Sequence, residues 1–278
     1  MPNVSFNKEN TSQVNLTDVN IAIPGEPTSE PDEKTIKHYS PFAATLWALV
    51  LYVTTQIIAV AVILLGLRAL GWSGKRTELW LQSAVSAQFL YILLAETMTI
   101  IAILALLRHR QLPMRLFGWI KPKLIDIWTA LTGFGVYVLG YILVVAVVSS
   151  LIPSLDVDQE QQIGFGTAHS PTDLLLVFAS LVILPPLTEE IVFRGFLFTS
   201  LRARNTFAAS TLLTSLLFGV AHLQFGSGEP LLWIAAIDTF VLSLVLCSVR
   251  EKSGSLWPAI FIHMFKNMVA FLFLFLLK

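Results

Sequence analysis

Seven apolar stretches of about 20 residues or more follow one another from residue 42 to the end of the chain, near 42–66, 80–107, 126–151, 171–203, 206–224, 230–249 and 256–277. About 20 helical residues cross the roughly 30 Å of hydrocarbon in a bilayer. The backbone finds no water there, so each stretch must satisfy its own hydrogen bonds as a helix. The expected fold class is therefore all-α, a polytopic transmembrane helix bundle of seven or eight helices. Composition agrees, with 13% charged and 55% hydrophobic residues and a mean hydropathy of +0.73. Soluble domains carry about 25% charge, and the polar side chains here are too few to cover a sphere in water. Eighteen basic residues balance eighteen acidic ones, which leaves no basic surplus for phosphates and excludes nucleic acid as a partner. Cys247 is the single cysteine. It cannot form an internal disulfide, and no Cys/His cluster has the spacing of a structural zinc site.

Nine of the 36 charges lie in residues 1–40, a segment rich in Asn, Ser, Thr and Pro. It lacks the basic start and apolar core of a signal peptide, and it reads as a disordered polar tail. Residues 41–152 would hold the first transmembrane helices and residues 171–278 a separate core. The fourth stretch is too long for one simple crossing and is interrupted by Pro185-Pro186, so it is one kinked helix or two shorter ones. With a single fourth span, one side of the membrane receives eleven Lys and Arg and the other receives four. Basic loops stay cytoplasmic, which predicts seven crossings with the N-terminus inside. Eight crossings is the alternative, if the long segment holds a short re-entrant helix.

A charge at mid-bilayer costs on the order of 3 kcal/mol, so the charges that remain in lipid are the informative ones. Thr188-Glu189-Glu190-Ile191-Val192-Phe193-Arg194 follows the two prolines. Phe218-Gly219-Val220-Ala221-His222 ends the fifth stretch, Asp238 lies in the sixth, and His263-Met264-Phe265-Lys266-Asn267 lies in the seventh. Glu190 and Arg194 are four apart and share a helix face, so they can pair. Glu189 is rotated by about 100° and meets other neighbours. Two imidazoles, a carboxylate and an amide in a low-dielectric cavity suit hydrolysis. Glu189 could take a proton from water, His222 and His263 could hold that water directly or through a metal, and Asn267 could donate to an oxyanion. Glu189, His222 and His263 would also make a three-ligand zinc site with one open position. Each feature has a structural reading as well: an ion pair pinning helices, an interfacial His, an Asn as helix glue.

Taken together, Glu189-Glu190-x-x-x-Arg194, Phe218-x-x-x-His222 and His263-x-x-x-Asn267 resemble the three motifs of the CPBP family. This family comprises CAAX proteases and bacteriocin-processing or self-immunity proteins, and includes the type II CAAX prenyl endopeptidases. Gly254-Ser255-Leu256-Trp257-Pro258 is similar to the family's approach to its third motif. The resemblance covers residues 171–278 and implies an intramembrane endopeptidase, with metalloprotease chemistry or a metal-free glutamate mechanism. It makes Glu189 the water-activating base, His222 and His263 the catalytic or zinc-binding imidazoles, Asn267 the oxyanion partner, and Glu190 with Arg194 the support. The implied partners are membrane lipid and a membrane-associated peptide or protein substrate, prenylated CAAX-type or a bacteriocin or leader. The implied location is a bacterial cytoplasmic membrane.

Lys266 and Asp238 depart from the expected pattern, and pairing would offset two desolvation costs. Glu96, outside the resembling region, can be a helix contact, a cavity-lining group or a substrate-facing one. A proton-coupled transporter would need a repeated pair of broken helices, and no second copy of the 171–204 pattern occurs. A non-catalytic immunity factor or scaffold would keep the fold and use the site only for binding. No Gly-x-Gly-Asp or His-Glu-x-x-His occurs for an aspartyl or site-2 type of intramembrane protease.

Overall fold

The computed structural model describes residues 38–159, 164–224 and 230–277. Among these residues the regular elements are helical: α1 (Pro41–Ala69), α2 (Gly74–Ser83), α3 (Val85–His109), α4 (Leu124–Leu151), α5 (Pro171–Arg202), α6 (Phe207–Ala221), α7 (Trp233–Ser253) and α8 (Trp257–Leu276), with a single 3-10 turn at Met114–Phe117. Most of the expected polar tail, residues 1–37, lies outside the described residues. Its last three do not: Tyr39 is buried, donates to Leu106 O at 3.1 Å and packs edge-on against Phe196. The Ser40 hydroxyl then caps the start of α1 by accepting from Ala43 N.

Six of the helices are long and apolar enough to cross a membrane. Their outward faces carry large side chains such as Leu65, Leu139 and Leu143, each more than half exposed. Apolar surface on that scale has to meet lipid, and the protein is an integral membrane protein. The second span differs from the sequence expectation. It begins at Val85, because Ala84 is extended (φ −90°, ψ 127°) and residues 74–83 form α2, capped by Ser73. α2 is polar enough, with Lys75, Arg76, Glu78 and Gln82, to count as an eighth helix without being a span. The fifth apolar helix, α6, has 15 residues, or roughly 22 Å. That is shorter than the roughly 30 Å of hydrocarbon, and His222 is its C-cap residue.

The long fourth stretch is one helix of 32 residues. Pro185 and Pro186 do not split it; instead the helix widens into π turns at Ala179–Ile183 and Ile191–Phe198, on either side of the two glutamates. Such wide turns relieve a clash in the helix ladder and re-aim side chains. α5 is also the central helix: half of its apolar window is buried, against 11% for α4. The whole run Ile191–Phe198 is out of contact with lipid and solvent.

Two close approaches set the other helices. Gly219 lies against α7, where a Cβ would meet Ala236 O at 2.9 Å and Phe240 Cβ at 3.3 Å. The start of α8 is clamped by the α3–α4 connection: Leu256 N donates to Gly118 O at 3.0 Å and Trp257 Nε1 to Ile120 O at 2.7 Å. Gly118 adopts φ +80°, and the Arg250 guanidinium lies 2.7 Å from where a Cβ would stand, with Arg250 Nη2 donating to Leu116 O. A side chain is therefore excluded there by conformation and by space. Replacing Gly219 by Ala should force α6 and α7 apart and destabilise the fold by about 1–3 kcal/mol. The thermal midpoint of purified protein in detergent measures this, and a midpoint equal to wild type would show that the helix pair tolerates the methyl group.

Candidate active site

α5, α6 and α8 meet around Glu190. Arg194, one turn later on α5, donates through Nη1 to Glu190 Oε1 at 2.8 Å, and both side chains are fully buried. The guanidinium also lies over the Phe218 ring of α6, 4.4 Å from its centroid, an attraction that strengthens when both partners are desolvated. From α8, His263 Nδ1 lies 3.0 Å from the same Glu190 oxygen. A carboxylate held by arginine can only accept, so a proton sits on Nδ1, and in its neutral form the ring presents a lone pair at Nε2. That Nε2 lies 3.8 Å from Glu189 Oε2. Glu189 Oε2 is itself buried and has no hydrogen-bond partner among the described residues. The expected division between the two glutamates is thus present in the geometry, one paired in its own helix and one open.

His222 is half-buried at the end of α6, and its Nδ1 lies 2.8 Å from Phe218 O. That carbonyl is one of the orphans at a helix C-terminus, and it fixes the proton of His222 on Nδ1 as well. Phe218 contacts both imidazoles, at 4.7 Å to His222 and 5.8 Å to His263 between ring centroids. One aromatic ring therefore spaces Arg194 and the two histidines, a role that a motif of titratable residues did not reveal. The donors suit zinc by type, being two Nε2 lone pairs and a carboxylate. Their placement does not: no group of three His, Cys, Asp or Glu side chains among the described residues converges as metal ligands. Glu189 and His263 come together, and His222 does not join them as a third ligand.

Asn267 has a different first partner from an oxyanion. Its Nδ2 donates to Leu181 O at 2.8 Å, and the reason lies in the prolines. An α turn would give Leu181 O the N–H of residue 185 and a π turn that of residue 186; both are proline and have none. The side chain of Asn267 supplies the missing donor and ties α8 to α5, leaving its second N–H for other work. Lys266 and Asp238 pair as expected, Nζ to Oδ2 at 3.0 Å. Asp238 is held further by the Tyr137 hydroxyl of α4, which donates to Oδ1. Periodicity had no means of finding that phenol on a separate helix. Lys266 lies within electrostatic reach of His222, His263 and Glu189, so its pairing keeps a free ammonium out of the site.

Asn267→Ala should strand Leu181 O and cost about 1–3 kcal/mol of stability. In a Pro185→Ala background an amide N–H becomes available at the α-helical position, and the cost of Asn267→Ala should shrink. Thermal midpoints of the four proteins test the coupling, and equal costs in both backgrounds would refute it.

Residues 171–269 match the family model described as type II CAAX prenyl endopeptidase Rce1-like. An "Uncharacterized 24.3 kDa protein" of Escherichia coli is 35% identical over 103 residues, which are 36% of this chain and 45% of that protein. The match thus spans less than half of the relative's length. No solved structure matches. The matched segment starts at the first residue of α5, so Glu189, Glu190, Arg194, His222, His263 and Asn267, the residues of all three motifs, lie in the part of the chain that is similar to the Rce1-like type II CAAX prenyl endopeptidase family.

Proposed function

We propose that the chain is an intramembrane endopeptidase that hydrolyses a peptide bond of a membrane-associated substrate with a water activated by Glu189. The observation that supports this most directly is the 3.8 Å gap between the unpartnered Glu189 Oε2 and His263 Nε2. The gap exceeds a direct hydrogen bond, and both atoms accept. A water between them would donate one hydrogen to each and keep a lone pair for the scissile carbonyl. Glu189 takes one proton, the hydroxide oxygen adds to the carbonyl carbon, and the C–N bond breaks as that proton passes to the leaving nitrogen. An acid and an amine result. Glu190 and Arg194 hold the His263 ring and its tautomer, the second Asn267 N–H is the candidate oxyanion donor, and His222 borders the site across Phe218.

The substrate class we assign is the C-terminal region of a lipidated CAAX-type chain, or a leader peptide at the membrane. The basic loops favour a cytoplasmic N-terminus in a bacterial cytoplasmic membrane. Purified protein should cleave a farnesylated fluorogenic CAAX-type peptide, and Glu189→Gln and His263→Ala should each lower kcat by about a hundredfold or more. Cleavage by folded Glu189→Gln at the wild-type rate would overturn the reading. A wild-type protein that binds the peptide and cuts nothing would favour the scaffold instead. Activity after chelator treatment, with elemental analysis of the same samples, reports metal dependence independently.

A further inference from the structure

Near Glu189 stands a second polar group that comes from α1 and α3, outside the matched residues 171–269. Glu96 of α3 is buried, with 6% of its surface exposed, and its Oε2 has no hydrogen-bond partner among the described residues. The Thr188 hydroxyl lies beside the Glu96 carboxyl without closing a hydrogen bond of good geometry. Glu96 and Glu189 are close enough to interact electrostatically, and Tyr52 of α1 is within reach of both. Tyr91 of α3 flanks Tyr52 and is turned to Gln56, donating to its Oε1 at 2.5 Å.

Three buried oxygens on neighbouring residues, Glu96 Oε2, Thr188 Oγ1 and Glu189 Oε2, thus lack partners together. Buried polar atoms are nearly always satisfied, and a carboxylate in hydrocarbon is costly to leave open. Of the nearby cations, Lys266 is held by Asp238 and Arg194 reaches Glu190 through Nη1; no hydrogen bond joins either of them to Glu96 Oε2, Thr188 Oγ1 or Glu189 Oε2. What these atoms lack is a hydrogen-bond donor. An extended peptide offers such donors along its edge, at every second residue on a given side.

We infer that Glu96 is a substrate-binding residue, accepting through Oε2 a backbone N–H of the peptide next to the bond that the Glu189-held water attacks. Thr188, with both a donor and an acceptor, binds the adjoining peptide unit, so that α3 and α5 hold the peptide between them. This rests on the endopeptidase reading for the position of the scissile bond.

The test is a cycle between protein and peptide, measured by binding so that it does not depend on cleavage. The probe is a labelled, farnesylated octapeptide without basic residues, each backbone amide being N-methylated in turn; the protein is full-length Glu189→Gln. Adding Glu96→Ala should weaken binding by about tenfold or more, as expected for a lost hydrogen bond to a charged group. N-methylation at one position should weaken binding to the parent by a similar factor and have no further effect with Glu96→Ala. Glu96→Gln, which keeps an acceptor oxygen, should recover most of the binding. Equal N-methyl penalties in both backgrounds at every position, or unweakened binding by Glu96→Ala, would overturn the assignment and leave Glu96 as a helix contact. Should Glu96→Ala fail to fold, the same comparison is made with Glu96→Leu, which removes the acceptor oxygens and keeps most of the side-chain volume. Cleavage by Glu189→Gln itself would sink the hydrolytic reading and leave this binding cycle standing.

Discussion

Glu190 is a carboxylate placed where no water can reach it, and the helices around it are arranged to answer its charge. Arg194 meets it at 2.8 Å from its own helix, and His263 meets the same oxygen at 3.0 Å from α8. Phe218 of α6 covers the guanidinium. Removing one member of such a buried group leaves an uncompensated charge, typically worth 3–5 kcal/mol, so the contacts form or fail as a set. The same contacts assign the proton on His263, because an arginine-held carboxylate can only accept. Burial of one charge thereby aligns three helices and leaves one nitrogen lone pair facing Glu189.

A second constraint comes from missing hydrogens. Two consecutive prolines leave the Leu181 carbonyl without a donor in either helical geometry, and Asn267 of α8 supplies one. The start of α8 is held separately by Gly118 and Ile120 of the α3–α4 connection. His263 lies between these two attachments, which explains how a residue so near the beginning of its helix is brought level with glutamates deep in α5. Wide π turns lie on either side of Glu189 and Glu190, and the helix stays continuous past the two prolines.

Legibility followed physical distance along the chain. The spans could be read because hydrocarbon thickness sets a length, and the Glu190–Arg194 pair could be read because four residues make one turn. Lys266 and Asp238 could be matched because two opposite charges in lipid have few other options. The break at Ala84 was hidden by the apolar residues on both sides of it. Tyr137, the Leu181 carbonyl and the role of Phe218 were also hidden, since hydroxyls, backbone oxygens and aromatic rings leave no periodic signature. Glu96 could be recognised as out of place in a membrane helix, yet nothing local indicated that it stands beside Thr188 and Glu189.

The sequence by itself determined that this is a helical membrane protein, which residues carry charge into lipid, and which of them share a helix face. Those follow from hydropathy, helical geometry and the cost of burying charge, all of them local. Only the tertiary structure decided that His263 reaches Glu190 and nears Glu189 while His222 stays on its own helix carbonyl, that Asn267 serves the prolines, and that α3 brings Glu96 beside Thr188 and Glu189. These are pairings between distant segments, chosen by which buried polar groups can satisfy one another once the helices pack.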